Sequence, residues 1–277
     1  MLKIIVCIKQ VPDTGEIKIN PQTNTLIRDG VPSIINPFDK NAIEEAIRIK
    51  EKIPSEVSVI TMGPPQAQEA LKEALAMGAD QAYLLSDRNF SGADTLATSY
   101  TLAKAIEKIG NFDLILLGKQ AIDGDTAQVG PELAERLNIP QITYVKKVEL
   151  DSRLRGNDGL PNEKPENVTA ERLLEDCTET VECPLPVLIT VTKEINEPRH
   201  PSLKGVLRAK KAVIPVWKKE DISCKDDKIG LNGSPTQVMK IFTPPVRTER
   251  EMLSGTPEEM SKTLVQKLKE RKITCLL

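Results

Sequence analysis

The sequence predicts an α/β protein: a parallel sheet with helices on both faces, continued by an extended C-terminal arm. Three observations predict it. Short apolar runs alternate with stretches whose apolar residues recur at helical spacing. The alternation repeats at intervals that suit parallel strands joined by right-handed crossovers. From about residue 193 the helical period fades, and Pro, Gly and Ser accumulate over residues 215–257. The expected division is therefore 1–192 for the sheet domain and 193–277 for the arm.

Ile4 to Lys9 reads as a buried strand. Ile17, Ile19, Leu26 and Ile27 flank a polar centre, Asn20 to Asn24, so Glu16 to Arg28 predicts a hairpin excursion. Asp39 precedes an apolar stripe, Ala42, Ile43, Ala46, Ile47 and Ile49, and is placed to cap or enter the first turn of a helix. Val57 to Thr61 is the next strand, followed by a Gly-Pro-Pro turn. A helix from about Gln66 to Met77 stops at Gly78. Ala82 to Leu85 is a strand, Asp94 to Ile109 a helix ending at Gly110, and Leu114 to Leu117 a strand. After a loop from Gly118 to Asp125, Thr126 to Leu137 predicts a helix that ends before Pro140. Asp151 to Asn167 is polar and turn-rich, an exposed loop between strands; Val181 to Val191 is one further strand region. A basic run, Arg208-Ala209-Lys210-Lys211, follows, and Pro257 to Lys272 predicts a final amphipathic helix with Met260, Leu264 and Leu268 on one face.

Bulk properties exclude several functions. The 277 residues carry 38 basic and 40 acidic side chains, a net charge of −2, which gives no electrostatic case for nucleic acid or an anionic membrane as partner. No apolar run approaches the roughly 20 residues of a membrane helix. The start, Leu2-Lys3-Ile4-Ile5-Val6, lacks a signal-peptide layout, so a cytoplasmic protein is expected. Five scattered cysteines without a C-x-x-C pair argue against a disulfide framework, a zinc site or an iron–sulfur cluster. His200 is the single histidine, so a catalytic triad or a multi-histidine metal site would have to rest on it alone. No metal site and no side-chain catalyst is expected.

Ligands of open parallel sheets bind outside the carboxyl ends of the strands. The most informative segment there is Gly118-Lys119-Gln120-Ala121-Ile122-Asp123-Gly124-Asp125-Thr126-Ala127-Gln128-Val129-Gly130-Pro131, which joins a buried strand to a helix. A phosphate there would meet free backbone N–H groups and the positive end of a helix dipole. Gly124 and Gly130 allow close backbone approach, and Thr126 and Gln128 offer side-chain hydrogen bonds. The alternative is a plain strand-to-helix turn capped by Asp125 or Thr126, since neither a Walker A nor a G-x-G-x-x-G pattern is present. Cys7 ends the first strand and would contact a nucleotide through its backbone, with a core thiol as the plainer role. Asn36-Pro37-Phe38-Asp39, Met62 and the pair Asp94-Thr95 occupy neighbouring strand or helix ends, where a turn, a core residue and a helix cap are the competing roles.

Five strings, taken together and in order, resemble the electron-transfer flavoprotein β family: Val6 to Asp13, Ile35 to Asp39, Glu73 to Asp80, Leu117 to Asp123, and Asn196-Glu197-Pro198-Arg199 with the following Leu203. The resemblance implies a Rossmann-like adenine-nucleotide-binding domain, an arm that embraces an electron-transfer flavoprotein α subunit, and an electron carrier whose chemistry belongs to its cofactor. It places the nucleotide at Cys7, the Asn36–Asp39 turn, Met62 and the loop from Gly118 through Lys119, Gln120, Asp123, Gly124, Asp125, Thr126, Ala127, Gln128 and Val129. It makes Asn196 to Lys211 the loop that docks on a partner dehydrogenase, an acyl-CoA or other flavin dehydrogenase, with Leu203 as the docking leucine. Ordinary members hold AMP here and have a more acidic, Asn-containing loop. The present loop, with Gly92-Ala93-Asp94-Thr95 and Gly230 to Thr236, is similar to the anaerobic, electron-bifurcating branch. That branch implies a second FAD in place of AMP, NADH as hydride donor, Asp94 and Thr95 near the flavin or nicotinamide, and ferredoxin or flavodoxin as a further partner. The polar stretch Asp151 to Pro165 departs from the family pattern as a surface insertion. A non-redox adenine-nucleotide-binding module and a nucleotide-activating enzyme remain as alternatives; the first would have no need of the 196–203 segment, and the second would want a phosphate-handling loop after the first strand, which is absent.

Overall fold

The computed structural model describes residues 1–13, 18–19, 26–27, 32–150, 164–239 and 251–271. Two units are distinguished, residues 1–239 and residues 240–277. The first contains β1 (Leu2–Cys7), β2 (Gln10–Pro12), β3 (Lys18–Ile19), β4 (Leu26–Ile27), β5 (Ser33–Ile35), α1 (Pro37–Lys52), β6 (Ser55–Met62), α2 (Gln68–Met77), β7 (Gln81–Leu85), α3 (Thr95–Ile109), β8 (Leu114–Gly118) and α4 (Val129–Leu137). It continues with β9 (Gln141–Leu150), β10 (Asn167–Leu173), β11 (Thr178–Pro184), β12 (Val187–Val191), α5 (Leu203–Lys211) and β13 (Val216–Trp217). The second unit carries α6 (Pro257–Glu270).

Nine strands form the main sheet in the order β11-β10-β9-β12-β8-β1-β6-β7-β13. All neighbours from β9 to β13 are parallel; β10 pairs antiparallel with both β9 and β11. The central strands are apolar throughout because both faces are covered. On β1, Ile4 and Val6 join the core beneath α1 and α2, while Ile5 and Cys7 join the core beneath α3 and α4. All five residues of β8 are buried. This is the α/β class that the alternating pattern predicts. The anticipated hairpin excursion is visible as the antiparallel pair β3–β4.

Local chemistry accounts for the helix starts. α1 opens with Pro37, whose missing N–H is no loss in a first turn. α3 is capped by Asp94, whose side chain accepts from the Ala97 amide at 3.0 Å. α6 has a full capping box between Thr256 and Glu259.

Besides the short edge strand β13, which falls where only an extended arm is expected, three elements differ from the sequence-based expectation. α4 starts at Val129 rather than Thr126, because Asp125 and Ala127 hold left-handed φ values of 55° and 54° and keep the chain out of the helix. The apolar region 181–191 is two strands: β11 lies at the sheet edge and β12 in its middle, with Pro186, which has no N–H for the ladder, between them. The basic run at 208–211 lies on a helix, α5, capped by Ser202 accepting from Gly205 N. Ala209 is buried against the core, and Arg208 Nη2 donates to the carbonyls of Leu75 and Ala79 at 2.8 and 2.9 Å. The polar insertion read at Asp151 to Pro165 falls, for residues 151–163, outside the described residues.

Candidate functional site

From β1 the chain winds outward through α1 to β6 and through α2 to β7. It then returns through α3 to β8 on the other side of β1. The loops leaving β1 and β8 therefore diverge, and the crevice between them is the switch point of the sheet. A cavity of about 320 Å³ lies there. Of the cofactor residues expected from the sequence, Cys7, Asn36, Asp39, Met62, Asp94, Thr95, Gly118, Lys119, Gln120 and residues 124–130 line it. Asp123 stands at the rim, where it pairs with Lys9, Nζ to Oδ1 at 2.7 Å. Lys9, Thr98 and Leu102 also line the cavity and were not anticipated. Lys9 was within reach of sequence reasoning, since it lies just past Cys7, where β1 ends, within the string Val6 to Asp13.

Asp39 and Asn36 hold the crevice together. Asp39, 6% exposed, accepts from Lys9 N on Oδ2 at 2.7 Å and from Gly118 N on Oδ1 at 2.9 Å. One carboxyl thus ties the end of β1 to the end of β8. Burial pushes its pKa up to about 7, against the lowering effect of those same hydrogen bonds and of Asn36. Asn36 donates from Nδ2 to Gln120 O at 2.8 Å and accepts from Ile122 N at 3.2 Å, fixing the start of the long loop. The Cys7 thiol is buried, and burial pushes its pKa far up, so it stays a neutral core group. Two glycines are required by close approach. A Cβ on Gly118 would collide with Asp39 Oδ1 and lie 2.6 Å from Phe38 Cβ; one on Gly130 would lie 2.5 Å from Thr190 Cγ2.

The 124–130 loop ends in a helix start that has no side-chain cap. The first amides of any helix lack partners inside it, and Val129 and Gly130 face the cavity. Across the cavity, Asp94 closes the rim. Its Oδ2 accepts from Thr236 N at 3.1 Å and from Thr236 Oγ1 at 2.9 Å, and its own amide donates to Ser234 Oγ at 2.8 Å. Burial raises its pKa, but the bonds from Ala97, Thr236 and Ser234 outweigh this and hold the carboxyl below its ordinary range. Asp94 is thus helix cap and rim contact together. At the other lip, the Lys119 ammonium sits 4.7 Å from the Tyr144 ring centroid.

A family model described as the electron transfer flavoprotein domain matches residues 23–222. The chain belongs to the electron transfer flavoprotein family. It is 51% identical over 273 residues to the electron transfer flavoprotein subunit beta of Thermoanaerobacterium thermosaccharolyticum, covering 98% of this chain and 100% of that one. It is 50% identical to the caffeyl-CoA reductase-Etf complex subunit CarD of Acetobacterium woodii, with 98% and 100% covered. Against protein FixA of Bradyrhizobium diazoefficiens the identity is 47%, with 94% and 89% covered. The family relationship places the chain among β subunits, which are built to work beside an α subunit. No helix among the described residues is long and apolar enough to cross a membrane.

The expected docking segment of this family member divides in two. Asn196 and Arg199 turn onto α1: Asn196 Nδ2 donates to Asn41 O and Glu45 Oε2, both at 3.0 Å, and Arg199 forks onto Glu44 at 2.8 and 3.0 Å and onto Glu51. Pro198 is half-buried and Glu197 exposed. Leu203, at the first position of α5, is 78% exposed and Leu207, one turn on, 54%.

Proposed function

We propose that this chain holds an adenine nucleotide at the carboxyl ends of β1 and β8, and serves as the β subunit of a heterodimer carrying electrons between NADH or a dehydrogenase and another acceptor. One observation carries the reading: the uncapped start of α4 facing a cavity at the sheet's switch point. Such a start supplies N–H donors and a favourable dipole for a phosphate. The cavity volume suits the adenylate half common to AMP and FAD, lying at the low end of the usual range of about 300–1,000 Å³. Met62, Leu102 and Leu117 supply an apolar wall for the adenine.

FAD is favoured over AMP. The remainder of an FAD would extend past the rim where Asp94 clasps Ser234 and Thr236, residues in the two segments that resemble the bifurcating branch. A bound flavin supplies hydride acceptance and single-electron release; this chain binds it, orients it and shields it. The name of the Acetobacterium woodii relative, a subunit of a caffeyl-CoA reductase–Etf complex, supports a CoA-thioester dehydrogenase as partner. Leu203 and Leu207 offer that partner an apolar contact, and α6, which buries none of its residues, offers its stripe to the α subunit. Ferredoxin or flavodoxin is the matching low-potential acceptor.

The test is nucleotide content after release from the purified heterodimer. Two FAD and no AMP is the expected result. One FAD with one AMP would leave the site intact but remove NADH as direct donor. No adenine nucleotide beyond the α-subunit flavin would overturn the reading.

A further inference from the structure

Beside the cavity, behind the residues that line it, lies a carboxyl that the nucleotide site does not explain. Glu132 stands in the first turn of α4 and faces α3. Its Oε1 lies 3.1 Å from Thr95 Oγ1. Its Oε2 is buried and has no hydrogen-bond partner. An ionised carboxylate with a buried, unpartnered oxygen is costly, whereas a neutral carboxyl is far less so.

The neighbours leave that charge poorly compensated. Burial pushes the Glu132 pKa up, and the negative Asp94 at the start of α3 adds to it; the Thr95 hydroxyl, the nearby Ser99 hydroxyl and the charge of Arg136 oppose, but the Ser99 proton is given to Leu96 O at 2.9 Å and not to Glu132. Arg136 is engaged elsewhere: Nε donates to Ser99 Oγ at 2.9 Å, Nη2 donates to Leu96 O at 2.8 Å, and the guanidinium lies over the Tyr100 ring at 5.4 Å.

Thr95 links this carboxyl to the cavity. Its hydroxyl lies between Glu132 Oε1 and Gln128 Oε1, the latter at 3.4 Å, and both Thr95 and Gln128 line the cavity. A hydroxyl has one proton to give. With Glu132 protonated, its O–H donates to Thr95 Oγ1, Thr95 donates to the Gln128 carbonyl, and the Gln128 NH₂ group is left for the ligand. With Glu132 ionised, Thr95 donates to the carboxylate instead. Gln128 must then turn its NH₂ toward Thr95 and present its carbonyl to the cavity. Gln128 Oε1 lies on the Thr95 side at 3.4 Å, the side on which the protonated relay would need it.

We propose that Glu132 is a positioning residue for the nucleotide site: it holds a proton in the folded chain and, through Thr95, makes Gln128 a hydrogen-bond donor toward a bound phosphate. This rests on the nucleotide-site reading given above. The ionisable groups at the cavity itself, Asp39, Asp125, Lys9 with Asp123, and Lys119, are common to the wild type and to any Glu132 variant, so a variant separates their effect from that of Glu132.

The test uses the full-length chain with its α subunit, stripped of nucleotide and titrated calorimetrically with AMP from pH 5 to 8.5. The second proton of AMP itself titrates near pH 6, equally for every variant. Wild-type affinity is expected to fall about ten-fold more than that of Glu132→Gln across the range. The Gln variant, a neutral carboxyl mimic, should hold the wild-type low-pH affinity. Thr95→Val, which cuts the relay, should bind weakly throughout and lose the extra pH step. Identical pH profiles for wild type and Glu132→Gln, or a Thr95→Val protein that keeps the wild-type profile, would overturn the relay while leaving the nucleotide site standing. Failure of the wild type to bind AMP or FAD in the β site at any pH would overturn the site reading and the relay with it.

Discussion

At the scale of single residues, the crevice depends on one buried carboxyl. Asp39 takes one amide from each of the two diverging loops. Asp39→Asn keeps the size but turns an NH₂ toward one of those amides, leaving a buried donor facing a donor. The expected cost is about 1–3 kcal/mol, read as a shift of the urea midpoint at constant slope. The pH dependence has a definite sign. The folded-state pKa, about 7, lies above the ordinary 3.8. Between those values the folded chain keeps a proton that the unfolded chain releases, so this contribution to stability is complete below about pH 3.8 and is lost as pH rises toward 7. The amide introduced by Asp39→Asn cannot titrate. The stability gap between wild type and Asp39→Asn should therefore narrow from pH 4.5 to pH 7.5; a gap constant with pH would show that Asp39 is ionised in the folded state across the range. Cys7 gives a companion expectation. With its thiol buried and its pKa raised, a maleimide reagent at neutral pH should label exposed Cys177 in the native protein and leave Cys7 unlabelled until denaturant is added.

At the scale of elements, β8 and α1 approach so closely that only a glycine fits at the strand end. Gly118→Ala would push a methyl against Asp39, Phe38 Cβ and the Phe38 backbone at 2.8 Å. The expected loss is about 3 kcal/mol, with nucleotide affinity falling alongside it because the loop start moves. By contrast, Ala127→Gly should stabilise by about 1 kcal/mol, since Ala127 sits at φ 54° without a side-chain reason to do so. These elements also show what a sequence can and cannot announce. β1, β6 and β8 were legible because strands buried on both faces must be apolar runs, and the helices between them carry 3.6-residue stripes. The cavity followed, because topology alone sends ligands to the carboxyl ends of such strands. The left-handed Asp125 and Ala127, which delay α4, were hidden: aspartate tolerates that conformation but is commoner as a helix cap, and alanine does not favour it at all. α5 was hidden as well, since its footprint on the core is little more than Ala209 and Val206 amid basic residues. β13 is two residues long and exists only by pairing with β7. Long-range partners were out of reach in principle. Asp94 and Thr236 are 142 residues apart, and nothing local marks them as a pair. For the same reason Asn196 and Arg199 read as free docking residues, although Glu44 and Glu45, two buried carboxyls on α1, draw them inward.

At the scale of the whole chain, two apolar surfaces call for cover. In the first unit Leu203 and Leu207 project from α5, which is held in place from beneath: Arg208 grips the end of α2, and Arg199 is forked on α1 just before the helix begins. In the second unit Leu264, Val265 and Leu268 are exposed along α6. A fixed, exposed leucine on a braced helix suits an encounter that must form and break quickly, because it costs little to order. A longer stripe suits a permanent partner, because area must offset the entropy of lasting association. The two surfaces should therefore separate under mutation. Leu203→Ala removes almost no buried area from the chain itself, so its free energy of unfolding should stay within about 0.5 kcal/mol of wild type. Its heterodimer and nucleotide content should be unchanged, while the rate of electron delivery to the partner dehydrogenase falls about ten-fold or more at sub-saturating partner. Leu264→Asp with Leu268→Asp should do the reverse: the first unit stays folded and retains its nucleotide affinity, but copurification with the α subunit is lost. Size-exclusion chromatography and coupled turnover on the same preparations decide it. A Leu203→Ala protein with undiminished turnover would remove α5 from the docking surface. An α6 variant that still copurifies one-to-one would mean that the α subunit is held by some other part of the chain.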